Sequence, residues 1–307
     1  MGKQRHRSRR RFLRAAGLAG FAGIAGCSGS AGDEPVSILA AGSLQNALTT
    51  GLEPTVDVAI QVETHGSATV ARLVAEGQRD PDIVTVADVA LFDRPLSPAW
   101  HTVFASNAVV VAYNNETDGG RAVAAADRWY EPMLDGTATV GRTDPNQDPL
   151  GYRTLFAIEL AARYYDVGDL GDRLLRRDQL YPETGLLSRF ETGAIDAAFA
   201  YRNMAVERGY EYVELPDRID LSEPGHVEDW YATVSYTLPS GQTVRGGLIR
   251  YGSTVRHVSD DTLAVFDAQT TGGYLADHGF VLRDQFPAHV GEVPAGVDRT
   301  ATRAHGG

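Results

Sequence analysis

The chain has 307 residues, of which 43% are hydrophobic and 22% charged, with a formal net charge of −12. That length buries a sizeable core and suits two lobes, and the composition excludes a disordered chain. The charge is uneven: residues 1–26 hold one Lys and six Arg with no acid, while the remainder sets 40 acidic residues against 21 Arg and no Lys, a net −19 that excludes nucleic acid as a partner and suits a halophilic host.

In chain order, Ser8-Arg9-Arg10-Arg11-Phe12-Leu13-Arg14 resembles a twin-arginine export signal, and Ala15 to Gly26 is an apolar segment too short for a bilayer span. Ile24-Ala25-Gly26-Cys27 resembles a lipoprotein processing box, which makes Cys27 the expected lipidated first residue of an exported, membrane-anchored chain. Cys27 is the only cysteine, so no internal disulfide forms. Residues 1–26 are therefore assigned to the signal and 27–35 to a tether.

The apolar run Val36–Ala41, closed by Gly42, reads as a buried parallel strand. Alternation over Val56, Val58, Ile60 and Val62 predicts a second strand, Val70, Leu73 and Val74 a helix ending near Gly77, and Asp82–Val86 a third strand. This rhythm argues for an α/β lobe. Val103–Tyr113 contains the apolar run Ala108–Ala112, a strand leaving that lobe. Ala138–Val140 leads through Asp144-Pro145-Asn146-Gln147-Asp148-Pro149 into a helix reaching Tyr165. A helix near Gly185–Glu191, a strand at Ala197–Tyr201, a hairpin within 231–250 turning at Leu238–Gly241, and a helix over Asp260–Gln269 complete the pattern. The expected division is 36–106 plus 207–291 for one lobe and 107–206 for the other, with 292–307 as a flexible tail.

Three places share one design, in which a strand ends, Gly or Pro turns the chain, and a hydroxyl or carboxyl side chain meets a helix start. They are Gly42-Ser43, Gly66-Ser67 and Asp148-Pro149-Leu150. Helix N-termini present unpaired N–H groups and partial positive charge, so three together suit an anion, whereas each alone is equally a cap. The eight His show no metal-ligand spacing, so no resident metal or other cofactor is expected.

The order of these motifs resembles the archaeal tungstate/molybdate-binding proteins of ABC importers, a branch of the periplasmic-type solute-binding proteins, over nearly all of residues 36–290. The resemblance rests on Ala41–Leu44, Gly66-Ser67, Val86–Asp88, Phe104–Asn107, Gly141–Arg153, Pro182–Thr184, Tyr201-Arg202, Val213–Pro216 and Gly279-Phe280. The interval from Tyr165 to Tyr181 is shorter than the family pattern.

The resemblance implies an α/β, two-lobed type II periplasmic-binding-protein fold that closes on a tetrahedral oxyanion and passes it to a membrane permease, without catalysis and as a monomer. Carried over by position, the ligand-contacting residues are Gly42, Ser43, Ser67, Asp148, Pro149, Leu150, Glu183 and Tyr201, with Asp148 and Glu183 as carboxylate ligands to Mo or W. Asp88, Arg153 and Arg202 are weaker candidates, read as a turn cap and as partners of acidic neighbours. The alternatives are a binding protein for sulfate, phosphate or a small carboxylate, and an extracytoplasmic hydrolase with Ser43 as nucleophile and Asp148 or Glu183 as base. No G-x-S-x-G elbow supports the hydrolase.

Overall fold

The computed structural model describes residues 34–294 and 296–297, without the side chains of Glu183 and Thr184. The export signal, Cys27 and the tether as far as residue 33 lie outside the described residues, as does most of the C-terminal tail.

The strands are β1 (Val36–Ala41), β2 (Ile60–His65), β3 (Ile83–Val86), β4 (Trp100–Asn107), β5 (Val109–Tyr113), β6 (Val140–Thr143) and β7 (Leu180–Tyr181). There follow β8 (Ala197–Tyr201), β9 (Glu211–Glu214), β10 (Ser235–Thr237), β11 (Thr243–Arg245), β12 (Ile249–Val255) and β13 (Ala288–Gly291). Six of them form the first sheet in the order β13-β4-β12-β3-β1-β2, and five form the second in the order β7-β6-β8-β5-β9. Each sheet is mixed: β1 runs parallel to β2 and β3, and β6 parallel to β7 and β8, while β12 and β5 run antiparallel to their neighbours. Strands covered on both faces read as mostly apolar runs. The fully buried β3 and β8 do so with Ile-Val-Thr-Val and Ala-Ala-Phe-Ala-Tyr, the Thr85 hydroxyl being paired with Ser253 and Gln269.

The chain passes from the first sheet to the second through the single residue Ala108, between β4 and β5. The expected strand over 103–113 is thus two strands in different sheets. Two other expectations shift. The strand expected from Val56 begins at Ile60, because β1 supplies partners only from Val36, opposite Ile60, while Val56 and Val58 pack on the core from the preceding loop. Residues 211–214, assigned by sequence to the first lobe, form β9 on the edge of the second sheet, where Val213 faces Val111.

The helices fall where the turn chemistry places them: Ser67–Ala75, Pro149–Tyr164, Glu183–Glu191, Arg202–Arg208 and Asp260–Thr271. The hairpin is β10 with β11.

Candidate functional site

Asp148 is built from the chain upward. After β6, the backbone N–H groups of Gln147 and Asp148 both donate to the Asp144 carbonyl at 3.0 Å, and the Asn146 N–H donates to Asp144 Oδ1 at 2.9 Å, so a tight turn delivers Asp148 to the helix start. Asp148 is the N-cap of Pro149–Tyr164: its Oδ1 accepts from the Leu150 N–H at 3.1 Å, and Pro149 occupies the first helical position. The cap uses only one carboxylate oxygen. Oδ2 is buried without a hydrogen-bond partner, and so is the neighbouring Thr143 Oγ1. Burial pushes the Asp148 carboxyl up to about 6, against the opposing pull of the Leu150 N–H and the Arg153 charge.

The family resemblance implies ligand contact by Pro149 and Leu150, and the N–H groups of this helix start were expected to face an anion. In the structure the first of those N–H groups are spent elsewhere. Pro149 has no N–H, Leu150 is taken by the Asp148 side chain, and the Gly151 N–H donates to the Asp148 carbonyl at 3.0 Å. Neither Pro149 nor Leu150 lines the cleft.

That cleft is a cavity of about 370 Å³, lined by Gly42 and Ser43 after β1, by His65 and Gly66 at the end of β2, and by Thr143 at the end of β6 with Asp148 beyond it. Pro182, Met204 and Glu207 contribute from the second lobe. The two sides touch: a Cβ on Gly66 would lie 2.4 Å from the Gln147 carbonyl oxygen and 3.2 Å from Asp148 Cβ, which only glycine avoids.

The buried Ser43 Oγ lies 3.0 Å from the Tyr251 hydroxyl, and its carbonyl accepts from Asn203 Nδ2 at 2.7 Å. Asn107, at the end of β4, donates to Asn203 Oδ1 at 2.7 Å and to the Tyr251 hydroxyl at 3.1 Å. These contacts tie the Ser43 turn to the point where the chain changes sheets. Ser67 Oγ accepts from the Ala87 N–H at 2.9 Å, and Ser67 sits beneath the lining rather than in it. Tyr201 is also absent from the lining; its hydroxyl accepts from Arg153 Nη1 at 2.8 Å, so its own O–H remains to be donated. Burial and the nearby Asp148 charge raise Tyr201 far above its ordinary value, against the pull of Arg153, so it stays protonated. Glu183 begins its helix beside the lining Pro182, and its side chain lies outside the described residues.

Behind this cluster, Arg153 is buried and holds three segments together. Its guanidinium donates to the Ala87 carbonyl at 2.6 Å and to Tyr201, and pairs with Asp88 at 3.2 Å. Burial opposes its charge, but Tyr201 and Asp88 outweigh that and hold it protonated. Asp88 caps the next turn, as expected, and does not line the cleft: Oδ1 accepts from the Ala90 N–H at 3.0 Å, and Oδ2 accepts from the Tyr152 hydroxyl at 2.5 Å. Arg202, expected beside an acid, instead has a buried Nε without a hydrogen-bond partner. Sequence reasoning missed Tyr251, Asn203, Thr143 and Glu207. None sits in a turn motif, and only their folded neighbours mark them.

Two α/β lobes meeting across a polar cleft, with site residues at strand ends, form a two-lobed type II periplasmic-binding-protein fold. The chain belongs to the bacterial extracellular solute-binding protein family, whose model matches residues 37–244. A relative from Haloferax volcanii, provisionally assigned as an ABC transporter molybdenum-binding protein, is 56% identical over 261 residues, covering 84% of this chain and 85% of the relative. The molybdate/tungstate-binding protein WtpA of Thermococcus kodakarensis is 30% identical over 226 residues, 64% of each chain. The Azotobacter vinelandii periplasmic molybdate-binding protein shares the fold with a TM-score of 0.56 at 11% identity, covering 81% of this chain and 100% of that one.

Proposed function

We propose that this protein captures molybdate or tungstate outside the cell and delivers it to the permease of an ABC transporter. In this reading it is exported by the twin-arginine route, held on the membrane as a monomer by a lipid on Cys27, and suited by its acidic surface to concentrated salt. The observation that carries the ligand is Asp148 Oδ2, a buried carboxylate oxygen with no partner beside an anion-sized cleft. A carboxylate about 4 Å from a unit negative charge is repelled by roughly 4 kcal/mol at an effective dielectric of 20, and a dianion doubles that. Sulfate and phosphate relieve this only where the anion or the acid carries a proton. A Mo or W centre is a Lewis acid that accepts carboxylate oxygens, so Asp148 and Glu183 serve as its ligands. Gly42, Ser43, Ser67 and Tyr201 then shape and hydrogen-bond the oxo side, while Pro149 and Leu150 act through the cap.

Titration calorimetry with tungstate, molybdate and sulfate tests the reading. Tight binding of the first two and none of sulfate is expected; equal sulfate affinity would remove the carboxylate-ligand argument. Cys27→Ser should release the protein into the medium, and retention in the membrane fraction would rule out the lipid anchor.

Gly66→Ala probes closure. Its Cβ would meet backbone rather than a movable side chain, so the lobes cannot close as far. Affinity is expected to fall roughly tenfold to a hundredfold, since ångström-scale misplacement costs that much in other positioned sites. Unchanged affinity would show that the contact is not part of the bound state.

A further inference from the structure

The ligand cavity is also lined by a half-buried acid, Glu207. The helix Arg202–Arg208 starts directly from Tyr201, and its spacing of four puts Asn203 and Glu207 on one face. Asn203 is locked between Ser43 and Asn107, which fixes that face against the cleft. Glu207 lines the cavity, and its Oε1 is buried with no hydrogen-bond partner. Burial drives this carboxyl up to about 7, only partly offset by the Asn203 amide, the Arg208 charge and the Asn46 amide.

The other ionisable groups lining the cavity among the described residues include His65, Asp144, Asp148, Glu191 and Arg208. Both basic groups are already committed: His65 lies 2.8 Å from Glu63, and Arg208 is 3.0 Å from Glu191. Two orphaned carboxyl oxygens therefore face the anion, Asp148 Oδ2 and Glu207 Oε1, and no uncommitted cation among the described lining residues offsets them. A direct bond to the metal centre accounts for Asp148. Glu207, on the helix that follows β8, needs a different solution, because an ionised carboxylate can only accept hydrogen bonds and so repels the oxo oxygens.

We propose that Glu207 takes a proton from solvent when the oxyanion binds and donates its O–H to an oxo oxygen, so that capture is coupled to proton uptake. The proposal rests on the oxyanion reading above. A protonated carboxyl here adds a donor on the helix that follows β8 and removes a repelling charge, and raising the pH reverses both. The sign follows from the raised value: the donor is present below about 7 and is lost above it, so binding weakens as the medium turns alkaline.

The test is calorimetry with molybdate at pH 8 in two buffers of different ionisation enthalpy, with Kd measured from pH 6 to pH 9. Between pH 8 and pH 9 the wild-type Kd should weaken about tenfold through this one proton. Glu207→Gln keeps a donor and should bind molybdate while taking up about one proton fewer, with that pH dependence flattened. Glu207→Met keeps the volume without a donor and should bind more weakly at pH 6. The contribution of Asp148 is common to all three proteins and cancels in the comparison. Equal proton uptake by the wild type and Glu207→Gln overturns the role of Glu207 and leaves the oxyanion function standing. No molybdate or tungstate binding by the wild type at any of these pH values overturns both.

Discussion

Asp148→Asn is expected to stabilise the empty protein at neutral pH while lowering affinity for molybdate or tungstate roughly a hundredfold or more, a loss of about 3 kcal/mol. Asn caps a helix about as well as Asp, so the bond to the Leu150 N–H survives. What changes is the buried charge. In the folded protein the Asp148 carboxyl titrates at about 6 rather than 3.8. Its ionisation therefore opposes folding: the stability it allows is fully present below its ordinary value and is lost as the pH rises through about 6. By pH 7 the cost is on the order of 2–3 kcal/mol, which the amide avoids. Urea denaturation of the ligand-free proteins at pH 4 and pH 7 should show near-equal stability at the lower pH and a more stable variant at the higher. A variant less stable at both values would mean that the carboxylate serves the fold rather than the ligand. The pairing of gained stability with lost binding is what a strained functional residue produces.

Arg153→Met should cost about 3–5 kcal/mol of stability, the usual penalty for leaving one partner of a buried ion pair behind. Asp88 would keep only the Tyr152 hydroxyl and the Ala90 N–H, and the Ala87 carbonyl would lose its guanidinium donor. The same change frees Tyr201, so affinity should fall together with stability. Adding Asp88→Asn removes the stranded charge, and the double variant should recover most of the lost stability without recovering affinity. Chemical denaturation of the two single variants and the double variant measures the coupling. If Arg153→Met costs under about 1 kcal/mol, the pair is not holding the lobes' shared core.

Much of the site was legible locally, because helix starts are written in short motifs. Asp148-Pro149 marked its own cap, Gly42-Ser43 and Gly66-Ser67 marked helix starts although neither serine caps one, and the apolar runs of β1, β3 and β8 read correctly as strands. The period of β2 was also visible, but its start was not, since pairing register is set by the partner β1. β9 was misplaced for a related reason. Four residues, Glu-Tyr-Val-Glu, do not say which sheet edge is vacant, and the vacancy beside β5 decided it.

The sequence alone determined the element types, the family resemblance and the carboxylate at a helix start, because propensity, capping and periodicity act within a few residues. Tertiary structure alone decided which polar groups stay unsatisfied. Leu150's N–H is spent on its own cap, Ser67 is spent on Ala87, and Tyr251 reaches Ser43 across 208 residues of chain. Only those long-range commitments leave Asp148 Oδ2 and Glu207 Oε1 buried and unpartnered, since an oxygen's partners are settled when the segments around it pack together.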